Sequence, residues 1–197
     1  MQLVLNEETV IQLRDMSEEE FYEFCALNEN HRIERTARGD ILIMAPAGLE
    51  TGDRNMNLAE QLRRWARHDG RGKAFDSSTG FTLPNGAIRS PDAAWVRRSR
   101  LAALTREQKR RFSPLCPDFV VELTSPSDRL SKVQEKMREW MANGALLGWI
   151  LDADGREAHI YRPQGAVQVL PEPSQLAGDD PVEGFVLDLR DFWDLDW

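Results

Sequence analysis

Residues 118–152, DFVVELTSPSDRLSKVQEKMREWMANGALLGWILD, admit few arrangements other than strand, helix, strand. The apolar run Phe119-Val120-Val121 continues into Glu122 and Leu123, so a carboxylate stands where composition predicts burial. Side chains alternate along a strand, which puts Val120, Glu122 and Thr124 on one face and Phe119, Val121 and Leu123 on the other. Ser125-Pro126-Ser127-Asp128 ends the strand, because proline cannot continue a ladder, and supplies Ser or Asp to cap a helix. Leu130, Val133, Met137, Trp140 and Met141 then recur at helical spacing until Asn143-Gly144, a left-handed stop. Gln134 and Lys136 flank this stripe, while Lys132, Glu135 and Glu139 are expected to face away. A second apolar run over 145–151 completes the unit, so its two strands are expected to be parallel with a right-handed crossover. The helix stripe then lies on the sheet, and Lys136 is within reach of the face that displays Glu122.

The rest of the chain supplies elements to pack around that unit. Ser17 and Glu20 form a capping-box pattern before a short amphipathic helix. Residues 32–36 and 40–44 read as a hairpin, and 51–68 as a helix with Glu50 at its start, where the helix dipole favours an acid. Arg63, Arg64 and Arg67 fall on its solvent side. Short strands are expected at 73–76 and 79–83, with Asn85-Gly86 as a hairpin turn. A further strand over 87–96 contains Pro91, which implies an edge or a bulge. Asp92 stands directly before its apolar half. Residues 97–111 read as a basic, partly helical connection, 157–162 and 166–170 as strands, 171–181 as a loop and 184–189 as a short strand. The acidic end with Asp191, Trp193, Asp194, Asp196 and Trp197 either docks as a helical turn or frays.

At 197 residues the expectation is a single α/β domain spanning 1–197. Two cysteines, Cys25 and Cys116, make no disulfide framework, and neither a signal peptide nor an apolar run of membrane-spanning length is present. These features predict a soluble, cytoplasmic protein. The net charge is −8, yet between Arg54 and Arg111 there are 14 Lys and Arg against five Asp and Glu, a surplus of +9, leaving −17 for the remainder. A phosphate-binding face accounts for this asymmetry, and so does a solvated helix followed by an arginine-rich loop. The histidines His31, His68 and His159 show no metal spacing.

Two carboxylates on neighbouring strands with a lysine close by are the parts needed to hold a hard divalent cation and position a water for phosphodiester hydrolysis. The ordered set Pro91-Asp92, then residues 121–127 (VELTSPS), then Gln134-Glu135-Lys136, with Glu50 to Asn55 and Asp76 to Phe81 upstream, resembles the PD-(D/E)XK nuclease superfamily. Within it, the chain is most similar to the Uma-type group of small bacterial proteins described as endonucleases. The resemblance implies a restriction-endonuclease-like core, a mixed β-sheet flanked by helices, preceded here by the N-terminal helix and hairpin. It also implies a Mg²⁺ or Mn²⁺ cofactor, a nucleic-acid substrate, in the first place DNA, and often a homodimer.

Carried over by position, the resemblance makes Asp92 and Glu122 metal ligands, with the backbone carbonyl of Leu123 as a third. The lysine of the superfamily's E-x-K falls at Thr124, and in this group Lys136 of the following helix takes its place, with Gln134 as a second helix candidate. Glu50 matches an acid on the first core helix that supports the metal shell. Pro117-Asp118 is a competing motif, but Asp118 is four residues, about 13 Å, from Glu122 along one strand, too far to share an ion. The same parts also suit a nucleic-acid-binding or regulatory protein that keeps the fold without turnover, or a hydrolase of smaller phosphate esters.

Overall fold

Two sheets meet at a seam, and the chain crosses between them at a proline. The computed structural model describes residues 9–12, 16–126 and 128–195. Strand β1 (Thr9–Gln12) precedes helix α1 (Glu18–Leu27), where Ser17 makes both bonds of the predicted capping box: its hydroxyl accepts from the Glu20 N–H at 3.2 Å and its own N–H donates to the Glu20 carboxylate at 2.7 Å. The predicted hairpin follows as β2 (Arg32–Arg35) and β3 (Asp40–Met44), antiparallel from Arg32↔Met44 to Arg35↔Ile41. Strand β1 pairs with the other side of β3, an addition the sequence pattern did not signal. After α2 (Leu49–Asp69) and β4 (Gly72–Asp76), the short strands β5 (Phe81–Thr82) and β6 (Ile88–Arg89) form a hairpin turned at Gly86, whose φ of 85° is open to glycine at little cost. The first sheet therefore runs β1-β3-β2-β6-β5.

The single strand predicted over 87–96 is divided. Residues Ile88 and Arg89 belong to the first sheet, whereas β7 (Ala93–Arg97) belongs to a second, with Ser90, Pro91 and Asp92 between them. Pro91 has no N–H to continue a ladder, so the strand ends there and the chain changes sheets. Helix α3 (Arg98–Ala102), β8 (Phe119–Leu123), α4 (Leu130–Ala142), β9 (Leu147–Asp152), β10 (Glu157–Tyr161) and β11 (Gln168–Pro171) follow. The second sheet runs β11-β10-β9-β8-β7-β4 and is mixed: β8 and β9 are parallel, as the strand–helix–strand pattern requires, and the other pairs are antiparallel. A separate pair, β12 (Gln175–Ala177) and β13 (Val186–Asp188), places a strand inside the stretch predicted as loop.

Alternation along β8 sorts the core into two layers. Phe119, Val121 and Leu123 pack with Leu58 and Leu62 of α2, Trp149 and Phe185, whereas Val120 packs with Ala94, Ile150, Met137 and Trp140 on the α4 side. Each such large side chain contributes roughly 1.5–3 kcal/mol through burial. Helix α4 lies close on the sheet because position 148 is glycine; a Cβ there would overlap the Met137 sulfur. The helix ends as predicted, with Asn143 as C-cap and Gly144 at a φ of 110°. Its start differs from expectation. Arg129, not a serine or aspartate, is the N-cap, and the Asp128 carboxylate instead accepts from the N–H (2.8 Å) and hydroxyl (2.7 Å) of Ser125. Ser127 lies outside the described residues. At the other end of the chain Phe192 and Trp193 are buried against the α2-side core, while Asp196 and Trp197 lie outside the described residues. Among the described residues no helix is long and apolar enough to cross a membrane.

Candidate functional site

Strand register brings the two predicted acids together. Ala93 pairs with Val121 in the antiparallel β7–β8 ladder, so one step further sets Asp92 opposite Glu122, and the next sets Pro91 opposite Leu123. A proline has no N–H to offer the Leu123 carbonyl, and the Leu123 N–H donates instead to Asp92 Oδ2 at 2.7 Å. The other Asp92 oxygen accepts from Arg32 Nη1 at 3.0 Å. Arg32 comes from β2 in the first sheet, so this ion pair spans the seam.

Glu122 projects from the α4 side of β8 and meets that helix. Trp140 Nε1 donates to Glu122 Oε1 at 2.7 Å, and Lys136 Nζ donates to Glu122 Oε2 at 3.1 Å. Lys136 and Trp140 are four residues apart and share a helix face. The ammonium is fully committed: besides Glu122 it donates to Glu34 Oε1 and to the Ser90 carbonyl, both at 2.9 Å. Glu34, two residues beyond Arg32 on the same face of β2, also accepts from the Ser90 N–H and from Arg89 Nη1, each at 3.1 Å. Arg89 in turn donates through Nε to Glu139 at 2.6 Å. The prediction that Glu139 faces away is corrected by this contact: it also accepts from Asn85 and closes the seam, whereas Lys132 and Glu135 pair with each other on the surface.

The electrostatics follow from burial and charge count. Burial pushes the Glu122 carboxyl up to about 7; Lys136 and Arg32 pull it down, and Asp92 and Glu34 push it further up. Burial also acts to raise Glu34, but Lys136, Arg89 and Arg32 outweigh it and hold that carboxyl down at about 2. Burial opposes the Lys136 ammonium, and Glu122 and Glu34 together outweigh it, so its pKa rises and it stays charged. Four acids and three cations thus interlock, all held from both sheets and α4.

The structure brings Asp92, Glu122 and Lys136 together, with the Leu123 backbone beside Asp92, and does not join Glu50 or Gln134 to them. Glu50 stands in the first turn of α2, exposed, and its ion pair is with Arg54 at 3.4 Å. Helix α2 packs on the opposite face of the sheet from Glu122. Gln134 is half-buried on α4, and no hydrogen bond joins it to the cluster among the described residues. Asp118 is a structural acid: it accepts from the Arg97 N–H at 2.9 Å and pairs with Arg100 at 3.1 Å. Arg89 of the basic segment joins the carboxylate cluster, but the basic residues of α2, α3 and the end of β7 do not converge on it. Arg97 lies five residues, about 16 Å, along β7 from Asp92, Arg63, Arg64 and Arg67 ride on α2 behind the sheet, and Arg64, Arg71, Arg97 and Arg111 are neutralised by Glu60, Asp69, Asp180 and Glu19.

Arg32, Glu34 and Arg89 escaped the sequence reading, and Trp140 was read only as core. The signal for the first two was present: Arg32 and Glu34 alternate with Ile33, which enters an apolar cluster with Phe21 and Ile41, so the charged pair faces the other way along a buried strand. What that face meets is decided by the seam.

Asp92 and Glu122 fit a divalent cation in ligand chemistry. They are hard oxygen donors; each Asp92 oxygen has one protein donor, which leaves a second lone pair, while Glu122 shares its oxygens between Trp140 Nε1 and the Lys136 ammonium, which is 3.1 Å from both oxygens. Among the described residues no group of three or more His, Cys, Asp or Glu is arranged as a self-sufficient metal site. The Leu123 carbonyl, water and substrate oxygens would complete a shell.

A family model described as Uma2, putative restriction endonuclease, matches residues 18–190. The chain belongs to the Uma2 family. Among solved structures, a putative nuclease belonging to DUF820 from Anabaena variabilis is similar to it at 19% identity with a TM-score of 0.71, covering 90% of this chain and 97% of that one. This likeness shows the fold, a nuclease-like mixed sheet flanked by helices. Among curated proteins nothing matches the chain. As a Uma2 member the chain carries Thr124 where the wider superfamily has lysine, and here Thr124 is structural: its hydroxyl donates to Asp152 at 2.8 Å and accepts from the Ala153 N–H at 3.2 Å, tying β8 to the end of β9.

Proposed function

We propose that this Uma2 protein is a Mg²⁺- or Mn²⁺-dependent endonuclease that hydrolyses phosphodiester bonds in DNA. The observation that carries the reading is the convergence of Asp92, Glu122 and Lys136 at one end of the sheet, from two strands and a helix that are far apart in sequence. Asp92 and Glu122, with the Leu123 carbonyl, would hold the cation. A bound Mg²⁺ or Mn²⁺ supplies charge that polarises a phosphoryl group and acidifies water. Asp92 is fixed for this by Arg32 and the Leu123 N–H, and Glu122 by Trp140. Lys136 offsets the charge of the carboxylates; on releasing one of its three acceptors it has an N–H to give to the attacking water.

The test is cleavage of duplex DNA by purified wild type, Asp92→Asn and Glu122→Gln in Mg²⁺ and Mn²⁺. Both variants are expected to lose cleavage while still melting cooperatively; undiminished cleavage by both removes the two acids from the site. Binding without turnover is the second reading, favoured by Thr124 at the superfamily's lysine position and by the saturation of Lys136. It predicts retention of DNA in Ca²⁺ with no product in Mg²⁺ or Mn²⁺.

A further inference from the structure

We infer that Arg32, on the N-terminal hairpin, is the residue that grips a substrate phosphate beside the carboxylates. This rests on the nuclease reading and adds to it a phosphate contact supplied by the first sheet. The three cations of the cluster differ in how many donors they have to spare. Lys136 has three N–H groups and gives all three to protein acceptors. Arg89 is spent on Glu34 and Glu139, and only 11% of its side chain is exposed. Arg32 has five N–H groups, and its hydrogen bonds to protein are two, Nη1 to Asp92 at 3.0 Å and Nη2 to the Ser90 carbonyl at 2.5 Å. Its Nε–H has no partner among protein atoms but is shut off from solvent, so the donors left for a ligand are the second N–H groups of Nη1 and Nη2.

Arg32 is also the most accessible of the three cations, with 30% of its side chain exposed against 17% for Lys136. A charged planar group with an N–H to spare on each Nη suits the paired oxygens of a phosphate better than a single ammonium does. Its orientation is fixed by the same carboxylate that would hold the cation, so phosphate and Asp92 meet at adjoining edges of one guanidinium. The basic residues of α2 and α3 lie on the other face or at the other end of the sheet and offer no substitute at this position.

The experiment is binding of a duplex DNA oligonucleotide in Ca²⁺ across a salt series, for wild type and Arg32→Gln, with Mn²⁺ binding followed separately by calorimetry. Arg32→Gln is expected to weaken binding and to reduce the slope of log affinity against log salt by about one, the mark of one lost phosphate contact. A folded Arg32→Gln with wild-type affinity and slope overturns the assignment while leaving the nuclease reading in place. Wild type that neither binds nor cleaves DNA overturns that reading and this one with it. Because the substitution removes the ion pair of Asp92 and leaves it only the Leu123 N–H, a second measurement uses wild type alone: arginine modification by phenylglyoxal, mapped by mass spectrometry. Arg32 is expected to react in the free protein and to be protected by the duplex; failure to react, or equal reaction with DNA bound, overturns the assignment.

Discussion

Replacing Glu34 by glutamine keeps the shape of the seam and removes one charge from its centre. The Glu34 carboxylate is buried between Lys136 at 2.9 Å, Arg89 at 3.1 Å and the Ser90 N–H at 3.1 Å, and these cations hold its pKa at about 2 against an ordinary 4.5. A tenfold change in proton affinity is worth ~1.4 kcal/mol, so the ionised carboxylate adds about 3 kcal/mol to stability at neutral pH. The sign follows from the depressed folded-state value. Between 4.5 and 2 the unfolded chain binds the extra proton, so the contribution is complete above about 4.5 and is lost as pH falls toward 2. Glutamine resembles the protonated acid, so Glu34→Gln is expected to be about 3 kcal/mol less stable than wild type at pH 7. The gap should narrow by ~1.4 kcal/mol for each pH unit below about 4.5. Urea unfolding of both proteins at pH 7, 5, 4 and 3.5 measures it. A gap that is the same at every pH, or absent at pH 7, would refute the view that charge at Glu34 locks the two sheets.

Trp140→Phe removes the Nε1–H that fixes Glu122 Oε1 at 2.7 Å, which should cost about 1–3 kcal/mol and weaken Mn²⁺ binding by calorimetry; unchanged Mn²⁺ affinity would count against Trp140 as the residue that positions the acid. Gly148→Ala pushes a methyl into the Met137 sulfur and should lower stability by about 1–3 kcal/mol in thermal melting, since α4 must lift or repack. Asp118→Asn disturbs the Arg97 and Arg100 contacts at the far end of β8, so stability should fall while DNA cleavage persists. A folded Asp118→Asn protein without cleavage would move the first acid from residue 92 to residue 118.

Much of the site was legible because its members sit on strongly patterned elements. The alternation Val120–Glu122 against Val121–Leu123, the helical stripe ending at Trp140 and Met141, and the proline before Asp92 each name a face or a boundary. Glu122 facing α4 and Lys136 reaching it follow from those periods alone. The helix start misled, because Ser125 and Asp128 carry capping side chains but use them on each other one turn early. The loop predicted over 171–181 hid β12, three residues too short to show a period. Glu139 was assigned to solvent by its angle on the helix, and that angle is right for a helix on one sheet; the β5–β6 hairpin of the other sheet occupies the space it points into.

By itself, then, the order of residues determines the parallel unit of β8, α4 and β9, the face on which Glu122 lies, and the break at Pro91, since these depend on contacts within one or two turns or one strand. Tertiary structure decided that the break is a crossing between sheets, and that Arg32 and Glu34 of an early hairpin, with Arg89, close around Lys136. It also decided that the basic residues of α2 and α3 point elsewhere. The physical reason is that a buried charge is tolerated only where partners from other parts of the chain satisfy it, and which parts meet is fixed by packing across the seam.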